Sequence, residues 1–176
     1  MQTAVIVDAI RTPGGRRNGK LKNWHAVDLG AEALKAIASR NNLDPALIDD
    51  VIVGCVSQVG EQAFNVGRNL VLAAGWPESV PATTIDRQCG SSQQALHFAA
   101  QGVMSGAYDI VVAAGVEASG VAAADSDGAA DSEGADDAAG DAVSLEVDVW
   151  LRETTATASK TIPTNTASTT RLEDFC

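Results

Sequence analysis

The chain has 176 residues, 45% of them hydrophobic, and a formal net charge of −11. That is enough chain for one ordinary core, and the acidity argues against nucleic acid or an anionic membrane as a partner. The charge is uneven: residues 1–117 carry 9 Lys+Arg against 11 Asp+Glu, and residues 118–176 carry 3 against 12, so an almost neutral domain is followed by an acidic tail.

The first residues, Met1 to Asp8, lack the basic leader and long apolar run of a signal peptide, and no segment has the length to span a membrane. Four short β-branched runs predict strands at Ala4–Val7, Val51–Val56, Ala82–Ile85 and Asp109–Ala114. Between the first two, Leu29, Ala33, Ala36 and Ile37 recur at helical spacing and predict a helix from Asp28 to Arg40. A short helix follows, capped by Asp44 with Pro45 at its first position.

A second long helix is expected from about Asn65 to Ala74, stopped by Gly75 and Trp76-Pro77, and a third from Ser91 to Ser105, ending at Gly106. The run Ala95 to Met104 is apolar around most of its circumference, which predicts burial on nearly every side by something beyond a four-stranded unit. The resulting βαβαβαβ series implies an α/β fold with a mostly parallel sheet covered on both faces.

After Glu117 the composition changes. Residues 118–140 are almost wholly Ala, Asp, Gly, Ser and Glu, and 154–170 are rich in Thr, Ser and Ala. Neither has the apolar periodicity to offset ordering entropy, so disorder is expected through most of 118–176. Val143 to Leu151 alternates enough to form a strand or short helix on a partner, but disorder is the leading expectation there as well.

Three cysteines, Cys55, Cys89 and Cys176, are an odd number at irregular spacing. They suit reduced thiols and a cytoplasmic location better than a disulfide framework. No metal-ligand spacing is present, because His25 and His97 pair with nothing nearby in sequence. Gly14-Gly15 fits neither the dinucleotide nor the P-loop template, so no cofactor is expected.

Cys89 is the informative cysteine. It lies between the third strand and the third helix, in Asp86-Arg87-Gln88-Cys89-Gly90-Ser91-Ser92. Unpaired N–H groups at a helix N-terminus, together with the macrodipole, favour an anion there, which is the setting of a reactive thiolate. A sharp strand-turn-helix junction presents the nucleophile in other acyl-transfer enzymes, and Gly90 leaves room for an incoming carbonyl. Cys55 sits in an apolar run and is expected to be a packing residue. His97, eight residues after Cys89, would be displaced by about 12 Å along the helix axis, too far to activate it, and is expected in the core or an interface. A structural or solvent role is expected for His25.

Around Cys89, the segment Val80 to Cys89 resembles the strand leading to the acylated cysteine of the thiolase family. Three more segments are similar to that family in the same order: Arg11-Thr12-Pro13-Gly14-Gly15-Arg16 with Gly19-Lys20-Leu21; Gly54 to Gln62 with Asn65 and Arg68; and Asp109 to Glu117. Cys89-Gly90-Ser91-Ser92 departs from the commoner Cys-x-Ser-Gly form, a variation that resembles thiolases handling bulky or lipid-derived acyl groups.

The resemblance implies a thiolase-like N-terminal half-fold over residues 1–117 and an acyl-CoA acyltransferase of lipid or fatty-acid metabolism. Cys89 would take an acyl group from a 3-oxoacyl-CoA, release acetyl-CoA by carbon–carbon cleavage, and pass the acyl group to free CoA; the reverse is condensation. The backbone N–H of Cys89 would help hold the oxyanion. CoA and acyl-CoA would be substrates, and intact relatives would be homodimers or homotetramers.

The resemblance also implies an activating histidine, a proton-moving second cysteine and an oxyanion-hole glycine from a second half of the chain, and no Gly-His-Pro or matching Cys-x-Gly occurs in the sequence. A chain truncated near Glu117 by a shifted reading frame, and catalytically incomplete, is therefore expected. Two alternatives stand beside it. One is a condensing enzyme of the ketoacyl-synthase kind; the other is an inactive half-domain acting only as a binding or oligomerisation partner.

Overall fold

The structure is a computed structural model that describes residues 3–15, 19–118, 144–152 and 170–171. In chain order the main elements are β1 (Ala4–Arg11), α1 (Ala26–Arg40), β2 (Asp50–Gly54), α2 (Val66–Ala73), β3 (Ala82–Ile85), α3 (Ser91–Ser105), β4 (Ile110–Glu117), β5 (Ser144–Arg152) and β6 (Thr170–Arg171). They form one six-stranded sheet in the order β3-β2-β4-β5-β1-β6. β2 runs parallel to β3 and to β4, whereas β5 is antiparallel to both β4 and β1. β1 therefore points the same way as β4, so that all four strands of the expected βαβαβαβ series run in one direction.

Local chemistry sets the element ends. His25 caps α1, its Nδ1 accepting from the Val27 N–H at 3.2 Å, so the helix begins two residues before Asp28. Asp44 accepts from the Ala46 N–H at 3.0 Å ahead of Pro45, closing the expected short turn, which is a 3₁₀ helix over Pro45–Leu47. Asn65 caps α2 by accepting from the Arg68 N–H. α3 ends at Gly106, whose φ of 82° is left-handed and suits a residue without a Cβ.

The sheet is covered on both faces. On one side Leu34 and Ile37 of α1 and Leu70 and Val71 of α2 pack on Val51, Val53, Ile110 and Val112. On the other, Ala95, Ala99 and Val103 of α3 pack on Ile52, Val111 and Ala113. Alternate residues of β2 and β4 thus enter opposite layers, which is why these strands read as continuous apolar runs.

Within this single chain α3 buries one face and leaves Gln93, His97, Phe98 and Gln101 exposed, because a helix lying on a sheet buries the stripe beneath it and small Ala residues let that stripe sit close; the expected cover from another chain or further sequence lies beyond it. His97 is accordingly not a core residue. Within the tail expected to be disordered, Ser144–Arg152 and Thr170–Arg171 are strands, so the alternating stretch near Val143–Leu151 forms sheet; the rest of that expectation falls outside the described residues.

Candidate active site

The parallel strands β2, β3 and β4 deliver their C-terminal ends to one edge of the sheet, where loops leave for the helices. A cleft of about 450 Å³ opens there. Its walls are the end of β2 and the loop after it (Gly54–Ser57), the turn into α3 (Gln88, Cys89, Ser91 and Ser92) and the end of β4 (Gly115–Glu117).

The turn holding Cys89 is built by its neighbours. Asp86 accepts from the Gln88 N–H at 2.8 Å, and the Arg87 carbonyl accepts from the Gly90 N–H at 3.1 Å. Gln88 takes a φ of 49°, a left-handed conformation that turns the chain sharply between strand and helix. Ser91, 3% exposed, locks that geometry: its Oγ accepts from the Arg87 N–H at 2.8 Å and donates to the Gln88 carbonyl at 2.7 Å. The Arg87 guanidinium also donates to the buried Gln94 side chain. Cys89 is left exposed, two residues before the first residue of α3, at a helix end with no side-chain cap.

Two glycines let this turn sit against the sheet. Gly54 and Gly115 are paired in register on β2 and β4. A Cβ on Gly54 would lie 2.3 Å from the Ser91 carbonyl carbon and from the Ser92 nitrogen. A Cβ on Gly115 would lie 1.9 Å from Ser92 Oγ. The helix N-terminus therefore rests directly on strand backbone, which only glycine permits.

The opposite wall is tied to β4. The Glu117 carboxylate accepts from the Val56 and Ser57 N–H groups at 2.9 and 3.2 Å. Gln62, 4% exposed, donates to the Ser57 and Ala118 carbonyls and accepts from the Ala118 N–H. Cys55, 1% exposed, donates its thiol to Gln62 Oε1 at 3.7 Å. Burial, then the negative charges of Glu117 and Asp86, push the Cys55 thiol up to about 11. At neutral pH it is a protonated packing residue, as expected, and no competitor to Cys89.

Neither histidine is arranged to activate Cys89. His25 is an exposed helix cap, its Nε2 4.0 Å from a Glu61 carboxylate oxygen. His97 lies on the exposed side of α3, eight residues on. Arg11 is exposed, and Arg16 and Arg17 fall outside the described residues, as does Cys176.

Sequence reasoning placed Cys89 at the strand–helix junction but missed what surrounds it: the Gly54–Gly115 bed, the Ser91 lock and the Gln62–Glu117 ties. The glycines carried a signal, since each stands at or near the C-terminal end of a β-branched run where a close backbone approach is a standard reason for glycine. The Glu117 and Gln62 contacts join residues about sixty positions apart and left no local trace.

Comparison with known proteins agrees with this geometry. A family model described as thiolase, N-terminal domain, matches residues 4–168. The chain is 54% identical over 117 residues to a steroid 3-ketoacyl-CoA thiolase of Mycobacterium tuberculosis, covering 66% of this chain and 29% of that protein. It is 54% identical over 122 residues to a 3-ketoacyl-CoA thiolase of Pseudoalteromonas translucida, covering 68% and 31%. The crystal structure of the Bacillus anthracis acetyl-CoA acetyltransferase superposes with a TM-score of 0.63 at 41% identity, over 67% of this chain and 30% of that one. The chain thus spans about three tenths of the length of these relatives.

Proposed function

The chain belongs to the thiolase family, and on that premise we propose that Cys89 is the acyl-accepting nucleophile of an acyl-CoA acyltransferase. The observation that carries the reading is the contrast between its two described cysteines. Cys55 is buried and held as a thiol, whereas Cys89 stands exposed at the tip of a locked strand-turn-helix junction and opens into the cleft.

The chemistry is carbon–carbon cleavage by covalent capture. The Cys89 thiolate attacks the C3 carbonyl carbon of a 3-oxoacyl-CoA; the C2–C3 bond breaks and its electron pair passes to C2, which takes a proton and leaves as acetyl-CoA. The acyl group stays on Cys89 as a thioester. The thiol of free CoA then attacks that thioester and leaves with the acyl group, returning the sulfur electron pair to Cys89. Run backwards, the same steps condense two acyl units. CoA and acyl-CoA are the substrates.

The described residues supply the nucleophile and its rigid mounting. They place no base beside Cys89 and no acid for C2, so the step assigned to this chain is acyl capture. Full turnover would draw those groups from elsewhere. The free cysteines support a reducing compartment, the cytoplasm. Exposed Phe64 and Phe98 support a homodimer or homotetramer, which light scattering would test.

The deciding experiment is intact-mass spectrometry after incubation with acetyl-CoA or a 3-oxoacyl-CoA. One acyl adduct, mapped to Cys89 and abolished by Cys89→Ala, is the expected result. A chain that reacts with iodoacetamide at Cys89 but gains no acyl group from any thioester would overturn the reading, leaving a binding or oligomerisation role.

A further inference from the structure

The cleft presents two hydroxyls that the fold holds but does not satisfy. Ser57 is fixed through its backbone: its N–H donates to Glu117 and its carbonyl accepts from Gln62. Its Oγ has no hydrogen-bond partner among the described residues. Ser92 is fixed by the bed beneath it, with the space a Cβ on Gly115 would need taken by its own Oγ and Cβ. Its hydroxyl is likewise unpartnered among the described residues. Both line the cleft that Cys89 opens into, Ser57 on the β2 side and Ser92 on α3, three residues after the nucleophile.

Apart from the exposed side-chain amide of Gln88, the remaining polar side chains of those walls are already engaged. Both Glu117 oxygens accept backbone N–H groups, the Cys55 thiol donates to Gln62, and Ser91 Oγ bridges its own turn. The strand ends contribute glycine and valine. Beside the Gln88 amide, the cleft therefore offers two free hydroxyls among glycine and valine walls. A serine hydroxyl both donates and accepts, so it matches either a keto oxygen or a hydroxyl.

We propose that Ser57 and Ser92 form a specificity subsite for acyl groups carrying an oxygen function, keto or hydroxyl, on the chain beyond the reacting carbonyl. This rests on Cys89 being the acyl acceptor. A plain hydrocarbon chain entering the cleft displaces water from both hydroxyls and returns nothing, whereas an oxygenated chain replaces those bonds. One neutral hydrogen bond corresponds to roughly a two- to tenfold preference.

The test is a competition between two acyl-CoAs of equal chain length, one saturated and one bearing a mid-chain hydroxyl or keto group. Each Cys89 adduct is quantified by intact mass and normalised to alkylation of Cys89 by iodoacetamide in the same variant. The unsubstituted protein should favour the oxygenated chain by roughly threefold or more. Ser57→Ala and Ser92→Ala should each lower that ratio, and the double variant should bring it close to one. Equal labelling by the two chains, or a preference that survives both substitutions, would overturn the subsite while leaving Cys89 as acyl acceptor. Absence of any acyl adduct beside normal alkylation would remove the acyl-acceptor reading and the subsite together.

Discussion

Replacing Gly115 with Ala tests whether the mounting of Cys89 depends on strand glycine. The new Cβ would lie 1.9 Å from Ser92 Oγ and 2.6 Å from Ser92 Cβ. Rotating χ1 of Ser92 removes the first contact but not the second, because Cβ does not move with χ1. Relief therefore needs a backbone shift of about 1 Å between β4 and the start of α3. Overpacking of this kind costs about 1–3 kcal/mol, offset by about 0.5–1 kcal/mol from replacing a strand glycine. The net loss should be about 1–2 kcal/mol.

Ser92→Gly supplies the internal control. It removes both clashing atoms and leaves only the Ser92 Cα, 3.6 Å from the new Cβ. Alone it costs about 1 kcal/mol as a glycine in a helix. With Gly115→Ala in place it should cost nothing or stabilise, giving a coupling of about 1–2 kcal/mol by denaturant unfolding of the four proteins. Gly115→Ala should also alter the rate of Cys89 alkylation, and the second substitution should restore it. Losses that add within about 0.5 kcal/mol would refute the direct packing of α3 on Gly115.

Gly54→Ala should be worse, since its Cβ meets backbone of Ser91 and Ser92 at 2.3 Å and no side-chain change relieves it; a loss of about 3 kcal/mol or more is expected by the same unfolding assay. Glu117→Gln keeps the shape but removes a charge that accepts two N–H groups, costing about 1.5–3 kcal/mol, and it should lower the Cys55 pKa from about 11, read as faster Cys55 alkylation at alkaline pH. Tyr108, the one tyrosine of the chain, donates to Asp50 at 2.8 Å, and that bond with burial raises its pKa to about 12. Its folded pKa lies above the unfolded value near 10, so its stabilising contribution is complete below pH 10 and is lost as pH rises through 12. Tyrosinate absorbance should titrate late in the folded protein, and Tyr108→Phe should flatten the alkaline loss of stability.

The helices were legible because their signals are local. Asp44-Pro45, Asn65 and Gly106 each cap or end an element through atoms within a few residues, and they stand where the sequence places them. His25 escaped notice as a cap because imidazole is an uncommon N-cap acceptor. Cys89 was legible for the same local reason, a strand pattern and a helix pattern meeting at one residue. Its surroundings were not. Glu117, Gln62 and the paired glycines act across strands brought together by the sheet order, and no spacing within one segment encodes that order.

Strand β5 shows how a non-local requirement overrides a composition argument. The residues around it are poor in apolar side chains, and on that ground alone the tail does not repay ordering. Yet β4, from Ile110 to Glu117, has β2 on one side only, and β1 pairs with no other strand of the parallel group. Their facing backbone N–H and C=O groups need partners, and a strand inserted between them satisfies both rows at once. Ser144–Arg152 does so, with Leu151 to Ser144 registered against Ile110 to Glu117 on one side and Arg152 to Glu146 against Ala4 to Arg11 on the other. The period-two alternation of that stretch is what fits it for the slot. A sheet boundary drawn at Glu117 would thus leave β1 joined to β2, β3 and β4 through helix packing alone, so the tail strand belongs to the fold that positions Cys89.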